Sequence, residues 1–262
     1  MRRIIFHAGF HKTGTTSLQQ TLRANRQALR PHIRLVLRPG MQALCEAARG
    51  YSRSRDALDL GLVKYEAAAL AERLESEVAD TIFITSEDLS GHMPGRYKIK
   101  SYAAAAPDLM RALAIAFRAA CPGDDLRFVF TTRAGPVWLR SCYAQHLRAT
   151  RLDWDEAEYV KRYAPSADHA KVLAAIAAEI PDHPMEVFAL EDFADRPLGL
   201  AEAVLDLMRV TPTVRTRLRP APEGLRPAPD ADTRAKLLAI NRSDLSNAQA
   251  KAARLALMRG ES

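Results

Sequence analysis

The sequence predicts an α/β fold of three layers, with a mainly parallel central sheet and a helical C-terminal part. Short apolar runs suited to buried strands recur at 4–6, 33–37, 81–85, 126–131 and 186–190. Stretches with helical spacing of apolar residues lie between them, the alternation that builds a parallel sheet. No tandem repeat or low-complexity linker interrupts the 262 residues, of which 48% are hydrophobic and 26% charged. These values suit one globular domain spanning residues 1–262.

Taken in order, Ile4-Ile5-Phe6 reads as the first strand, and Thr15 to Ala28 as the first helix. Pro31 marks a break, and Ile33 to Leu37 a second strand. A helix is expected over Met41 to Ala48, a polar loop over Gly50 to Asp56, and a second helix over Tyr65 to Val78. Thr81 to Thr85 reads as a buried strand. Residues 91–102, broken by glycine and proline and rich in basic and aromatic side chains, read as an exposed loop. A helix over Pro107 to Ala120 ends at Cys121-Pro122-Gly123, and Leu126 to Thr131 forms the next strand. Helices follow over Val137 to Arg148, Trp154 to Tyr163 and Ser166 to Ile180, then a strand over Glu186 to Leu190 and a helix over Leu198 to Arg209. Thr211 to Pro229, with its prolines and arginines, reads as an ordered surface loop or flap. Helices near 232–241 and 246–258 close the sequence.

The first strand runs directly into Gly9-Phe10-His11-Lys12-Thr13-Gly14-Thr15-Thr16-Ser17. A strand, a glycine-bounded turn and a helix start bring backbone N–H groups and the positive end of a helix dipole onto one point, where an anion binds. Gly9 and Gly14 give the backbone freedom to close around a phosphate. Thr15, Thr16 and Ser17 add hydroxyl donors, and Lys12 adds a charge. Gly14 is followed by threonine and the lysine precedes it, so the stretch is not the Walker A form. In an open parallel sheet the segments after Phe6, Thr85 and Thr131 should meet at the carboxyl ends of their strands. The last of these carries Arg133, with Ser141 eight positions later. Arg133 can offer a bidentate fork to a phosphate, and Ser141 a hydroxyl from the following helix.

The string His-Lys-Thr-Gly-Thr-Thr-Ser at 11–17 resembles the 5′-phosphosulfate loop of sulfotransferases that use 3′-phosphoadenosine-5′-phosphosulfate (PAPS), in the form found in many bacterial members. The strand-ending Arg133 with Ser141 resembles the 3′-phosphate motif of the same family. The resemblance implies a P-loop-like fold and transfer of a sulfuryl group from PAPS to a hydroxyl. It places Lys12, Thr13, Gly14, Thr15, Thr16, Ser17, Arg133 and Ser141 on the donor, with Lys12 also balancing charge on the leaving phosphate. It makes a carbohydrate or lipid-linked glycan the expected acceptor. Two departures stand out. Ala134 follows the arginine where the family often has Asn or Asp, and the Arg-Lys-Gly string that holds the 3′-phosphate in soluble members is missing. Arg217, Arg219 or Arg226 are the candidates to replace it.

A base for the acceptor is expected from Glu87, directly after the strand at 81–85, where related enzymes use a Glu or His. His11 and His92 are its competitors, His11 also as an orienting group for the donor, and His7 reads as a core histidine. Tyr97, Tyr102, Trp154 and Tyr159 are candidates to stack on an acceptor or simply to pack. The alternative readings are a P-loop nucleotide kinase or NTPase, and a nucleotide-binding protein without catalysis. The net charge of +7, spread without a dense basic tract, favours an anionic ligand over a nucleic acid. Scattered Cys45, Cys121 and Cys142 suggest neither a disulfide framework nor a metal cluster, and the chemistry requires no metal. No run is long enough for a membrane span, and His7 interrupts the first apolar run too early for a signal peptide, so a cytoplasmic protein is expected. Nothing in the sequence fixes an oligomeric state.

Overall fold

A computed structural model describes residues 1–30, 32–220 and 229–260. Five strands, β1 (Arg3–His7), β2 (Ile33–Leu37), β3 (Thr81–Thr85), β4 (Asp125–Thr132) and β5 (Met185–Ala189), form one all-parallel sheet in the order β2-β3-β1-β4-β5. β1 lies in the middle, with Ile5 opposite Phe83 of β3 on one side and Arg127 of β4 on the other. Its continuous apolar run is needed because both faces are covered. Ile4 and Phe6 enter one core, and Ile5 enters the other.

Twelve helices flank the sheet among the described residues: α1 (Thr15–Ala24), α2 (Arg26–Leu29), α3 (Gln42–Ser54), α4 (Ala57–Glu75), α5 (Ala106–Ala120), α6 (Gly135–Ala149), α7 (Glu156–Tyr163), α8 (His169–Glu179), α9 (Ala201–Leu205), α10 (Pro212–Arg215), α11 (Ala231–Arg242) and α12 (Asn247–Arg259). Residues of α3 to α8 and α11 pack on the Ile4–Phe6 face, whereas α1, α2 and α9 pack on the Ile5 face. Two helical layers around a sheet give the expected three-layer α/β architecture. Among the described residues no helix is long and apolar enough to cross a membrane.

Several boundaries differ from the sequence expectation. The helix near 41–48 continues through Gly50, because Tyr51 and Ser52 on its buried face hold the next turn in place. The Tyr51 hydroxyl donates to Asp108, and the Ser52 hydroxyl accepts from the His92 N–H at 2.9 Å. The polar stretch at 50–56 is therefore mostly helix, and α4 starts at once, with Asp56 accepting from the Leu58 N–H at 2.7 Å as its N-cap. The first helix stops at Ala24 instead of Ala28. Asn25 turns its side chain onto the Arg219 backbone, donating to its carbonyl and accepting from its N–H at 2.7 and 2.9 Å. The helix expected over 198–209 contracts to the five residues of α9, flanked by turns. The 91–102 loop is a loop, yet Gly91, His92, Met93 and Pro94 are buried rather than exposed. Pro31 and Arg226 lie outside the described residues.

The path from β3 to β4 passes over β1, so the winding direction reverses at the centre of the sheet. The crevice beyond the carboxyl ends of β1, β3 and β4 is the place where such sheets bind ligands.

Candidate functional site

A buried polar relay fixes the strand ends beneath this crevice. Gln19 Nε2 donates to Thr85 Oγ1 at 3.2 Å, and Thr85 and His7 Nδ1 are 2.8 Å apart. His7 Nε2 and Thr131 Oγ1 are 3.3 Å apart, and Thr131 pairs with the Thr13 hydroxyl at 2.8 Å. Thr13 donates to the Phe10 carbonyl at 2.6 Å, which sets one direction for the chain of donors and puts the His7 proton on Nε2. Burial lowers the His7 pKa to about 3, so it stays neutral, as expected of a core histidine. The relay ties β1, β3 and β4 to the loop at 9–17. Gly9 is required here by space and not by backbone angle: a Cβ would lie 2.6 Å from Thr131 Oγ1 and 2.8 Å from His7 Nε2. Gly14 does need its left-handed backbone, at φ 94°, and Lys12 shares that region at φ 68°.

Above the relay lies a cavity of about 870 Å³. It gathers Lys12, Gly14, Thr15, Thr16 and Ser17 from the first loop, Glu87 from the end of β3, and Arg133 and Ser141 from β4 and α6. His11 and His92 line it as well. Segments far apart in the sequence thus meet at the strand ends. Thr13 is the exception among the expected donor residues: its hydroxyl is spent inside the relay, and its side chain does not line the cavity. α1 begins at the cavity wall with Gly14 as its N-cap and no side chain capping its first turn. The Thr15 hydroxyl is buried without a hydrogen-bond partner, and so is Arg133 Nε. Orphan donors at a helix start and on a guanidinium are the requirements of an anion site.

The electrostatics agree. Burial, reinforced by Arg148 and Arg133, lowers the Lys12 pKa, against a smaller opposing effect from Glu87. Lys12, Arg133 and Arg148 therefore crowd positive charge at one end of the cavity. His11 is held on every side. Its N–H donates to the Tyr102 hydroxyl at 3.1 Å, that hydroxyl bonds its Nδ1 at 2.9 Å, and its carbonyl accepts from Trp138 Nε1 at 2.8 Å. Its Nε2 faces Asp88 Oδ1 at 3.7 Å. Asp88, not Glu87, is the buried carboxylate. Despite burial, which acts to raise it, its pKa is held low by His11 beside it and by the hydrogen bond from Arg38. Burial and the nearby Arg49, Arg96 and Arg53 lower His92 to about 4. Glu87 is left as the cavity-lining carboxylate with no ion-pair partner among the described residues.

Comparison with protein-family models, curated proteins and solved structures finds no match.

Ala134, where the motif departs, has its N–H bonded at 3.0 Å by Glu191, which follows β5. Bracing of the α6 start therefore comes from another strand end. Arg217 and Arg219 do not line the cavity, whereas Pro229 does. Of the aromatic candidates, Tyr102 and Tyr159 are buried in the core, Trp154 stacks under Arg162 at 4.0 Å, and exposed Tyr97 lies outside the lining. Sequence reasoning missed Gln145 and Arg148, which follow Ser141 by one and two turns on the same face of α6. Extending the helical period from Ser141 finds both. It also missed Arg49, Arg96 and His146, which come from elements with no motif and are assembled only by packing.

Proposed function

We propose that the protein is a PAPS-dependent sulfotransferase that moves a sulfuryl group onto a hydroxyl acceptor, with a P-loop-like donor site. The observation that carries this reading is the meeting of the two donor motifs in one cavity, Lys12 with Thr15 to Ser17 and Arg133 with Ser141. In this reading the uncapped start of α1 and the Thr15 hydroxyl hold the 5′-phosphosulfate, and Arg133 and Ser141 hold the 3′-phosphate. Lys12 stabilises the charge that develops on the phosphate oxygen as the S–O bond breaks. Glu87 takes the acceptor's proton, since His11 is already bonded through Nδ1 and His92 is a weak base. A glycan or other hydroxylated small molecule is the acceptor class.

The experiment is a comparison of ligands. Adenosine 3′,5′-bisphosphate (PAP) at a hundred times its Kd should stabilise the fold by about 2.7 kcal/mol, whereas Mg·ATP should stabilise it much less. Stabilisation by Mg·ATP alone would favour a phosphotransfer enzyme instead. Release of PAP from PAPS in the presence of an acceptor panel separates an enzyme from a silent nucleotide-binding protein.

A further inference from the structure

Besides Lys12, Arg133 and Arg148, two further arginines line the cavity, Arg49 and Arg96. Arg49 comes from α3 and Arg96 from the loop after β3, and both lie near His92, whereas Lys12 has Arg133 and Arg148 as its cationic neighbours. Asp88 is matched by Arg38, whose Nε lies 2.7 Å from its Oδ2, while Arg49 Nε stands off at 3.8 Å from Oδ1. Arg96 has no carboxylate partner among the described residues, and its guanidinium lies 5.3 Å from the Tyr97 ring. Arg53 lies at the same distance from that ring.

The loop that presents Arg96 is built, not slack. Tyr97 and Lys98 hold left-handed angles, φ 50° and 61°, that non-glycine residues resist. Two backbone bonds close it, Gly95 N–H to the Ile99 carbonyl and Ile99 N–H to the Arg96 carbonyl, both 2.9 Å. Gly95 presses against α6 and α7, where a Cβ would come within 2.8 Å of His146 Nδ1 and 3.0 Å of the Tyr159 hydroxyl. Arg96, which does line the cavity, is thus fixed beside a strained turn whose own residues lie outside the lining. A guanidinium without a carboxylate partner at a cavity wall is suited to a carboxylate, phosphate or sulfate of a ligand.

We propose that the acceptor is an anionic hydroxylated molecule, a sugar or glycan bearing a carboxylate, phosphate or sulfate, held by Arg49 and Arg96 at the cavity lining beside His92. The proposal rests on the sulfuryl-transfer reading for the word acceptor. The anion site itself stands on the wall geometry. Burial and the guanidinium groups that keep His92 neutral are consistent with such a wall.

The test uses PAP-loaded protein, so that the donor phosphate sites are filled, and two matched probe pairs. Cellobiouronic acid and cellobiose differ by one carboxylate, and glucose 6-phosphate and glucose by one phosphate. Calorimetry should show the charged member of at least one pair binding about tenfold or more tighter. The pair that responds tells carboxylate from phosphate. Arg96→Gln and Arg49→Gln should each erase most of that preference while leaving PAP affinity within about twofold of wild type, which also reports that the variants fold. Equal binding of charged and neutral sugars, no binding of either charged sugar, or a loss of PAP affinity in Arg96→Gln matching the loss for sugar would overturn the proposal. Failure of PAP to bind the wild type would overturn the donor reading instead. Charged-sugar binding that depends on Arg96 would then still establish the anion site.

Discussion

Arg133 tests the donor assignment through a single side chain. Its Nε is buried without a partner, and it faces the cavity beside Lys12 and Ser141. A phosphate dianion on this guanidinium would satisfy the orphan nitrogen and offset the part of the Lys12 pKa lowering that Arg148 and Arg133 add to burial. Arg133→Ala should weaken PAP by about 1.5–3 kcal/mol and adenosine 5′-monophosphate far less, because only PAP carries the 3′-phosphate. Equal losses for the two ligands in calorimetry would move Arg133 off the 3′-phosphate. Arg133 and Lys12 were legible in the sequence because each stands in a compact string whose residue types leave few other uses. Thr13 belongs to such a string as well, yet its hydroxyl turns down to Phe10 and Thr131. A string records which residues are near one another, and not which of them face the ligand.

Among the elements, all five strands were legible: β1 and β3, buried on both faces, stand out as apolar runs, and the edge strands β2 and β5 still carry short apolar runs around an exposed Arg34 and a half-buried Glu186. Helix ends were less so. Where the first helix ends depends on Asn25 meeting a backbone segment from residue 219, and the continuation of α3 depends on Tyr51 and Ser52 meeting α5 and the loop after β3. Such partners are distant in sequence and leave no local signal. The relay beneath the loop at 9–17 ties that loop to β1, β3 and β4. Gly9→Ala keeps an allowed backbone but drives a methyl to within 2.6 Å of Thr131 Oγ1, so it should cost about 1–3 kcal/mol in urea unfolding. Gly61→Ala is the control. It lies in α4 with nothing within 4 Å of the added methyl, and it should stabilise by about 0.5–1 kcal/mol. A Gly9→Ala protein as stable as wild type would mean that the relay has slack the geometry does not show.

For the whole molecule, the buried histidines set the acid limit of stability. Burial lowers His7 to about 3, and His92, His146 and His169 to about 4, all four from an ordinary value of 6.5. A histidine whose folded pKa lies below its unfolded one is held neutral by the fold. Below pH 6.5 the unfolded chain takes up protons that the folded one refuses. The stability these groups contribute is complete above pH 6.5 and is lost as the pH falls from there toward about 4, at up to about 1.4 kcal/mol per pH unit for each. The carboxylates that the fold holds below their ordinary range, Asp88, Asp125 and Asp230, lose their contribution only at lower pH, so the upper part of the window belongs to the histidines. Urea unfolding at pH 7, 6 and 5 should show stability falling with a slope of more than one proton. His169 provides the dissection, since its ring packs 4.8 Å from both Phe10 and Trp138 and its Nε2 is buried without a partner. His169→Phe keeps an aromatic ring in that slot and removes a titrating group, so the slope should flatten by about one proton while stability at pH 7 changes little. A wild-type profile that is level from pH 7 to pH 5 would show that the histidines are hydrated or paired in solution, and would remove them as the origin of acid unfolding.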